Sequence, residues 1–210
     1  MVFLGTSKNG TEIYINRLVP EIGIIIAIGS VEPHYFAGFT GGKSFDAAIK
    51  YAKEIFCVPL KRKGNIVITV APQPTDIDLY QSQKALGNAT LAIEDDGIII
   101  LVSKCPGGVG DKTFLDLLGR ARTPHNVLKI IKEEYRLGYH KSAKIAQISM
   151  KVDMWAVTGL DDKIVKKAMF SPKESIQQTI NDALRITQEK NKTARVVIMP
   201  QGSLVVPLLE

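Results

Sequence analysis

Gly97-Ile98-Ile99-Ile100-Leu101-Val102-Ser103 is the stretch on which the fold turns. It is too short for a buried helix and rich in β-branched residues. No polar residue interrupts Ile98 to Val102 on either face of the strand it would form. Such a run fits a strand covered on both sides, as in a parallel sheet. Four more runs share the character: Gly23-Ile24-Ile25-Ile26-Ala27-Ile28-Gly29, Asn65-Ile66-Val67-Ile68-Thr69-Val70, Met154-Trp155-Ala156-Val157 and Arg195-Val196-Val197-Ile198-Met199. Between them lie stretches with helical spacing. Ser44 to Phe56 places Phe45, Ile49, Ala52 and Phe56 on one face. Asp76 to Ile93 follows Pro74-Thr75 and takes Asp76 as its N-cap. Asp111 to Leu118 and Pro124 to Tyr135 read as two further helices. Ser171-Pro172-Lys173-Glu174 has capping-box spacing and predicts a long helix ending near Lys190. The alternation predicts an α/β chain with a Rossmann-like, mostly parallel sheet and helices on both faces.

Composition narrows the functional classes. The 210 residues are 45% hydrophobic and 23% charged, which excludes wholesale disorder. The net charge of +6 reflects excess lysine, but no basic run exceeds Lys61-Arg62-Lys63. Aromatic residues are not interleaved with the basic ones, so no nucleic-acid partner is expected. The longest apolar stretch, Ile22 to Ile28, is too short to span a bilayer, so no membrane partner is expected. Cys57 and Cys105 make no disulfide framework and no C-x-x-C pair, and Met1 to Thr6 lacks a secretion pattern. The expected compartment is the cytoplasm. The composition shift at Lys61-Arg62-Lys63-Gly64 marks a candidate boundary between residues 1–63 and 64–210.

Three turns past strand ends carry the polar and glycine residues. Ligands in open α/β sheets bind beyond the carboxyl ends of strands. In Val31 to Ser44, Gly38, Gly41 and Gly42 permit close backbone approach, and Lys43 and a helix start at Ser44 suit an anion. Ala37 stands where a Walker A loop needs glycine. His34 in the same stretch is a candidate base for a hydroxyl proton; the competing reading is a loop histidine bonded to backbone. In Pro72 to Lys84, Gln81 and Lys84 share one helix face, where an amide and an ammonium would hold a carboxylate. The competing reading there is an ordinary solvated helix start. Cys105-Pro106-Gly107-Gly108-Val109-Gly110-Asp111 is either a phosphate cradle or a tight turn.

Together these segments resemble the nickel-pincer lactate racemase family. The motifs are Leu4-Gly5-Thr6 with Gly10-Thr11 and Ile15-Asn16-Arg17, then Ile28-Gly29, Pro33-His34, Ala37-Gly38-Phe39 and Gly41-Gly42. Further along come Pro74-Thr75-Asp76 with Leu79-Tyr80-Gln81-Ser82 and Lys84-Ala85-Leu86, Gly97 to Ile100 with Cys105, Gly107 and Gly110, and the tail Val197 to Pro200 with Gly202-Ser203 and Val206-Pro207. The resemblance implies an isomerase, a racemase or epimerase of small 2-hydroxy acids working by hydride transfer to a nickel-pincer nucleotide. It implies His34 as a catalytic base, Gly41, Gly42, Lys43 and Ser44 in the cofactor loop, and Gln81 and Lys84 on substrate. It also implies that residues 1–63 are a remnant of the family's N-terminal catalytic domain and 64–210 its C-terminal lobe.

The chain departs from the family pattern in places. Ser44 holds the position of the cofactor-bonded lysine, and Lys43 comes one residue early. No histidine lies between His34 and His125, where the family has a nickel ligand, so the metal ligands are unassigned. The pattern jumps from Ser44-Phe45-Asp46 to the later helix, and the family's N-terminal portion precedes Met1. The expected partner is therefore a homo-oligomer or a separate chain supplying that part. The alternative function is a noncatalytic or differently acting ligand-binding homologue. His140 has no assigned role.

Overall fold

The computed structural model describes residues 1–7, 10, 12–15, 33–34, 38–39, 45–190 and 193–210. The expected strand over 23–29 lies outside them. The first four strands form two antiparallel ribbons: β1 (Val2–Thr6) with β2 (Glu12–Ile15), and β3 (Pro33–His34) with β4 (Gly38–Phe39). Helix α1 (Phe45–Phe56) then leads directly into β5 (Cys57–Leu60).

The centre is a five-stranded, wholly parallel sheet. Its strands are β6 (Gly64–Val70), β7 (Ile93–Ser103), β8 (Asp153–Thr158), β9 (Ser171–Lys173) and β10 (Val196–Met199), in the order β10-β6-β7-β8-β9. Side chains alternate across it. Val67, Ile99, Leu101, Met154 and Ala156 face one layer, and Ile66, Ile68, Ile98, Ile100 and Trp155 face the other. The first layer holds α2 (Leu79–Ala89), α3 (Lys112–Ala121), α4 (Pro124–Glu133), α5 (Tyr139–Ser149) and α6 (Asp162–Lys167), packed around fully buried Phe114, Leu117, Leu118, Val127 and Ile145. The second is α7 (Ile176–Glu189), which meets the sheet through Ile180, Ala183 and Leu184. Both faces are covered, and the α/β, mostly parallel fold expected from the strand runs is the fold observed.

Three local expectations are corrected. The N-cap of α2 is Asp78, not Asp76; its carboxylate accepts from the Gln81 amide at 2.7 Å, while Asp76 sits in a 3-10 turn over Thr75–Ile77. That helix also ends at Ala89, because Ile93 already pairs with Gly64 as the start of β7. Ser171-Pro172-Lys173 opens no helix. It forms edge strand β9 against Trp155, Ala156 and Val157, where the missing N–H of Pro172 is tolerated. Ser175 caps α7 instead, accepting from the Gln178 amide.

Strand β6 has β7 on one side and β10, the last strand of the sheet, on the other. The chain leaves β6 through α2 towards β7, whereas β10 reaches the other side of β6 by a crossover from β9 through α7, so the switch point of the sheet lies between the carboxyl ends of β6 and β10. The chain after β10 turns back over this point. The Gly202 amide donates to the Val70 carbonyl at 2.9 Å, and Asn88 Nδ2 donates to the Gly202 carbonyl at 2.8 Å. The tail ends as β11 (Val206–Leu209), parallel to β5, so residues before and after the main sheet are joined in one small ribbon.

Candidate functional site

The turns after β6 and β7 are joined backbone to backbone. The amides of Cys105 and Gly107 donate to the carbonyls of Asp76 and Ile77, at 2.8 and 2.7 Å. In return the amides of Leu79 and Tyr80 donate to Gly108 and Val109, at 3.0 and 3.1 Å. Gly110, at φ +78°, lies so close to Asp78 that a Cβ would stand 2.7 Å from the carboxylate. This packing bears on the two readings of the 105–111 segment. The amides of Cys105, Gly107 and Gly108 are all bonded within the protein, so residues 105–108 form a structural turn and those amides cradle no phosphate.

The same holds at the head of α2. Helix N-termini bind anions through free amides. Here Leu79, Tyr80, Gln81 and Ser82 donate to Gly108, Val109, the Asp78 carboxylate and the Asp78 carbonyl. Recognition at this end therefore falls to side chains. Gln81 and Lys84 are brought together on one face of α2, both half-buried, as their spacing predicts.

Beneath them, from α5, comes Lys141. It is only 3% exposed. Its Nζ donates to the Tyr80 carbonyl oxygen at 3.2 Å and sits 4.6 Å from the centre of the Tyr80 ring. Burial, reinforced by the charge of Lys84 and opposed by Asp78, lowers its pKa from 10.5 to about 8. Burial also raises the Tyr80 phenol, helped by Asp111, Tyr135 and Asp78. His140 shares a 3.3 Å hydrogen bond between its Nδ1 and the Tyr135 hydroxyl. Its pKa is lowered first by burial and then by Lys141, against the pull of Asp111.

Neither Lys141 nor Tyr80 was marked by the sequence pattern as a site residue. The available signal was the adjacency of His140 and Lys141 at the start of a helix. That helix was itself hidden, because α5 buries Lys141 and Ser142 where an apolar face would be expected. Of the other expected site residues, His34 lies in β3, in register with Gly38. Gly41, Gly42, Lys43 and Ser44 lie outside the described residues.

Among the described residues no group of three or more His, Cys, Asp or Glu side chains could hold a metal ion. Cys105 is a poor donor. Its buried thiol is raised in pKa by desolvation and directed onto Ser103 Oγ at 3.3 Å, with Ser82 Oγ at 3.8 Å. The described side chains do not fit a nickel centre. An open groove of about 690 Å³ lies at the other end of the sheet, lined by Lys63, Asp95, Lys144 and Lys151 among others. It is remote from the switch point and we assign it no part in the site.

Fold and site together define a doubly wound α/β protein with a cationic, amide-bearing helix face at the carboxyl edge of its sheet. Residues 60–206 match the lactate racemase C-terminal domain, and residues 1–53 match the lactate racemase N-terminal domain. The chain belongs to the lactate racemase family. A lactate racemase of Thermoanaerobacterium thermosaccharolyticum is 23% identical to it, over 98% of this chain and 66% of that protein. The chain thus spans about two thirds of the length of this relative. The lactate racemase apoprotein structure from the same organism superposes with a TM-score of 0.85 at 20% identity, covering 98% of this chain and 68% of that one. A Thermotoga maritima protein shares the fold more loosely, with a TM-score of 0.54 at 10% identity over 79% of this chain and 41% of that one.

Proposed function

We propose that the chain is a lactate racemase-like protein that takes a small 2-hydroxy acid at the head of α2. In this reading the Gln81 amide and the Lys84 ammonium hold the substrate carboxylate. The observation that carries it is the pairing of Gln81 and Lys84 on one face at the switch point, where neighbouring backbone amides are already bonded. A monocarboxylate asks for one cation and one or two planar donors, which this pair supplies. His34 is the base for the 2-hydroxyl proton, a task suited to a neutral imidazole near pH 7. Residues 1–63 belong to a catalytic domain and 64–210 form the C-terminal lobe.

The nickel-pincer nucleotide implied by the family resemblance finds no donor set among the described residues, and no step of the reading runs through it. The departures in the sequence, Ser44 in the place of the cofactor-bonded lysine and no histidine between His34 and His125, favour a second reading, a ligand-binding homologue without turnover. One experiment separates them. The purified chain is titrated with L- and D-lactate by NMR, then assayed for racemisation by chiral chromatography alongside its nickel content. Binding abolished by Lys84→Met supports the site, and turnover supports the enzyme. Binding without turnover in the nickel-bearing protein favours the second reading. No binding of either enantiomer refutes both.

A further inference from the structure

A buried lysine is an unusual element to place under a helix turn. Desolvating an ammonium is unfavourable, and a methionine would fill the same volume without that penalty. Lys141 is nonetheless 3% exposed, within the electrostatic reach of a second cation, Lys84. It donates a hydrogen bond to a particular carbonyl, that of Tyr80, 61 residues away in sequence. Tyr80 immediately precedes Gln81. By helix geometry its carbonyl is also the acceptor for the Lys84 amide. One oxygen therefore receives the Lys141 ammonium and the backbone of a candidate carboxylate-binding residue. The Tyr80 ring, stacked on the Lys141 Nζ and tilted against Phe114 at 5.8 Å, ties this turn to the core.

We propose that Lys141 is the positioning residue of this site: its buried ammonium, seated on the Tyr80 ring and donating to the Tyr80 carbonyl, fixes the α2 turn that presents Gln81 and Lys84. The ammonium also adds positive potential behind Lys84, which favours an anion in front of it. The proposal rests on the reading of Gln81 and Lys84 as carboxylate-binding groups. Among the described residues, Lys84 and Asp78 from α2 and its cap act on it, its neighbours Tyr80 and His140 are titratable, and Asp111 ahead of α3 and Tyr135 after α4 act on those neighbours.

The test uses the full chain in three forms: unaltered, Lys141→Met and Lys141→Arg. Amide hydrogen exchange is followed at Gln81 to Lys84, with Ile99 and Leu101 in the central strand as references. The expected result is a loss of protection of about tenfold at Gln81 to Lys84 in Lys141→Met, with Ile99 and Leu101 unchanged or more protected. Lys141→Arg recovers part of it. L-lactate affinity falls by a similar factor in Lys141→Met. A structural lysine would instead lower protection at all of these amides together, and that result, or no change at any of them, overturns the proposal. A pH series on the unaltered protein needs no variant. After correction for intrinsic exchange, protection at Gln81 to Lys84 should fall between pH 7 and 9.5 while Ile99 and Leu101 hold or gain protection with the rising global stability, and a fall at all of these amides together refutes the assignment. Absence of lactate binding in the unaltered chain would count against the substrate reading alone, because the exchange arm does not depend on it.

Discussion

Gly202 is the position where a single methyl group tests how the site end of the fold is closed. A Cβ there would stand 2.1 Å from Thr69 Oγ1, 2.9 Å from the Val70 carbonyl oxygen and 3.1 Å from the Ala85 Cβ. None of the three can easily give way. Val70 is sheet backbone, Ala85 is in the middle of α2, and Thr69 Oγ1 is held by its own bond to the Ala85 carbonyl at 3.2 Å. Overpacking of this kind costs about 1–3 kcal/mol. Displacing the turn also breaks the Gly202–Val70 and Asn88–Gly202 bonds, each worth about 1 kcal/mol. Gly202→Ala should therefore destabilise the protein by about 3–5 kcal/mol, or lower the melting temperature by roughly 6–20 °C for a chain of this size. Urea and thermal unfolding read the value. Gly87→Ala is the control, because a Cβ at Gly87 meets nothing within 4 Å and removes a helical glycine. It should stabilise by about 0.5–1 kcal/mol. A Gly202→Ala protein within about 0.5 kcal/mol of the unaltered one would show that the tail turn is not seated on Val70, and the closure argument fails.

Two further stability effects follow from buried polar groups. Gln83 is 5% exposed, and neither its Oε1 nor its Nε2 has a hydrogen-bond partner among the described residues. Gln83→Met should raise stability by about 1–2 kcal/mol in urea unfolding, and a loss would mean the amide is satisfied. Lys141 gives a pH signature. Its folded pKa of about 8 lies below the unfolded 10.5, so the unfolded chain holds the extra proton between these values and stability rises with pH across that window. Relative to Lys141→Met, the unaltered protein should gain about 3 kcal/mol between pH 8 and 10.5; a flat difference would place the lysine in water.

The strands of the main sheet were legible because burial on both faces leaves an unbroken apolar run. Ile98 and Ile100 serve α7 while Ile99 and Leu101 serve the opposite layer, so no polar residue interrupts them. Strand order was not legible. Placing β10 beside β6 depends on α7 crossing the back of the sheet, which no local pattern encodes. Ser171 to Glu174 satisfied a helix-start pattern, yet the exposed side of β8 needed a partner and took Ser171–Lys173 as an edge strand. Tertiary pairing there overrode local propensity. At the site, the shared face of Gln81 and Lys84 was readable from spacing. Lys141 was not, because a contact between helices 61 residues apart leaves no periodic trace.

The hydrogen bonding at the carboxyl edge bears on what kind of anion belongs there. A phosphate is held by several backbone amides converging on one point. At the head of α2 and in the 105–108 turn those amides are bonded to protein carbonyls and to Asp78. Freeing them would separate the two turns from each other and α2 from its cap. A carboxylate needs no such rearrangement. It can be met by an amide and an ammonium on side chains, with a second ammonium behind them. Two of the glycines after β7 thus serve close packing, Gly110 against Asp78 and Gly107 against Ile77, while Gly108 supplies a positive φ to the turn. Their tight seat makes the turn rigid, and a rigid turn is what an orienting pair such as Gln81 and Lys84 requires. Inorganic phosphate should therefore leave the amide resonances of Cys105 to Gly108 unmoved, while lactate shifts those of Gln81 to Lys84.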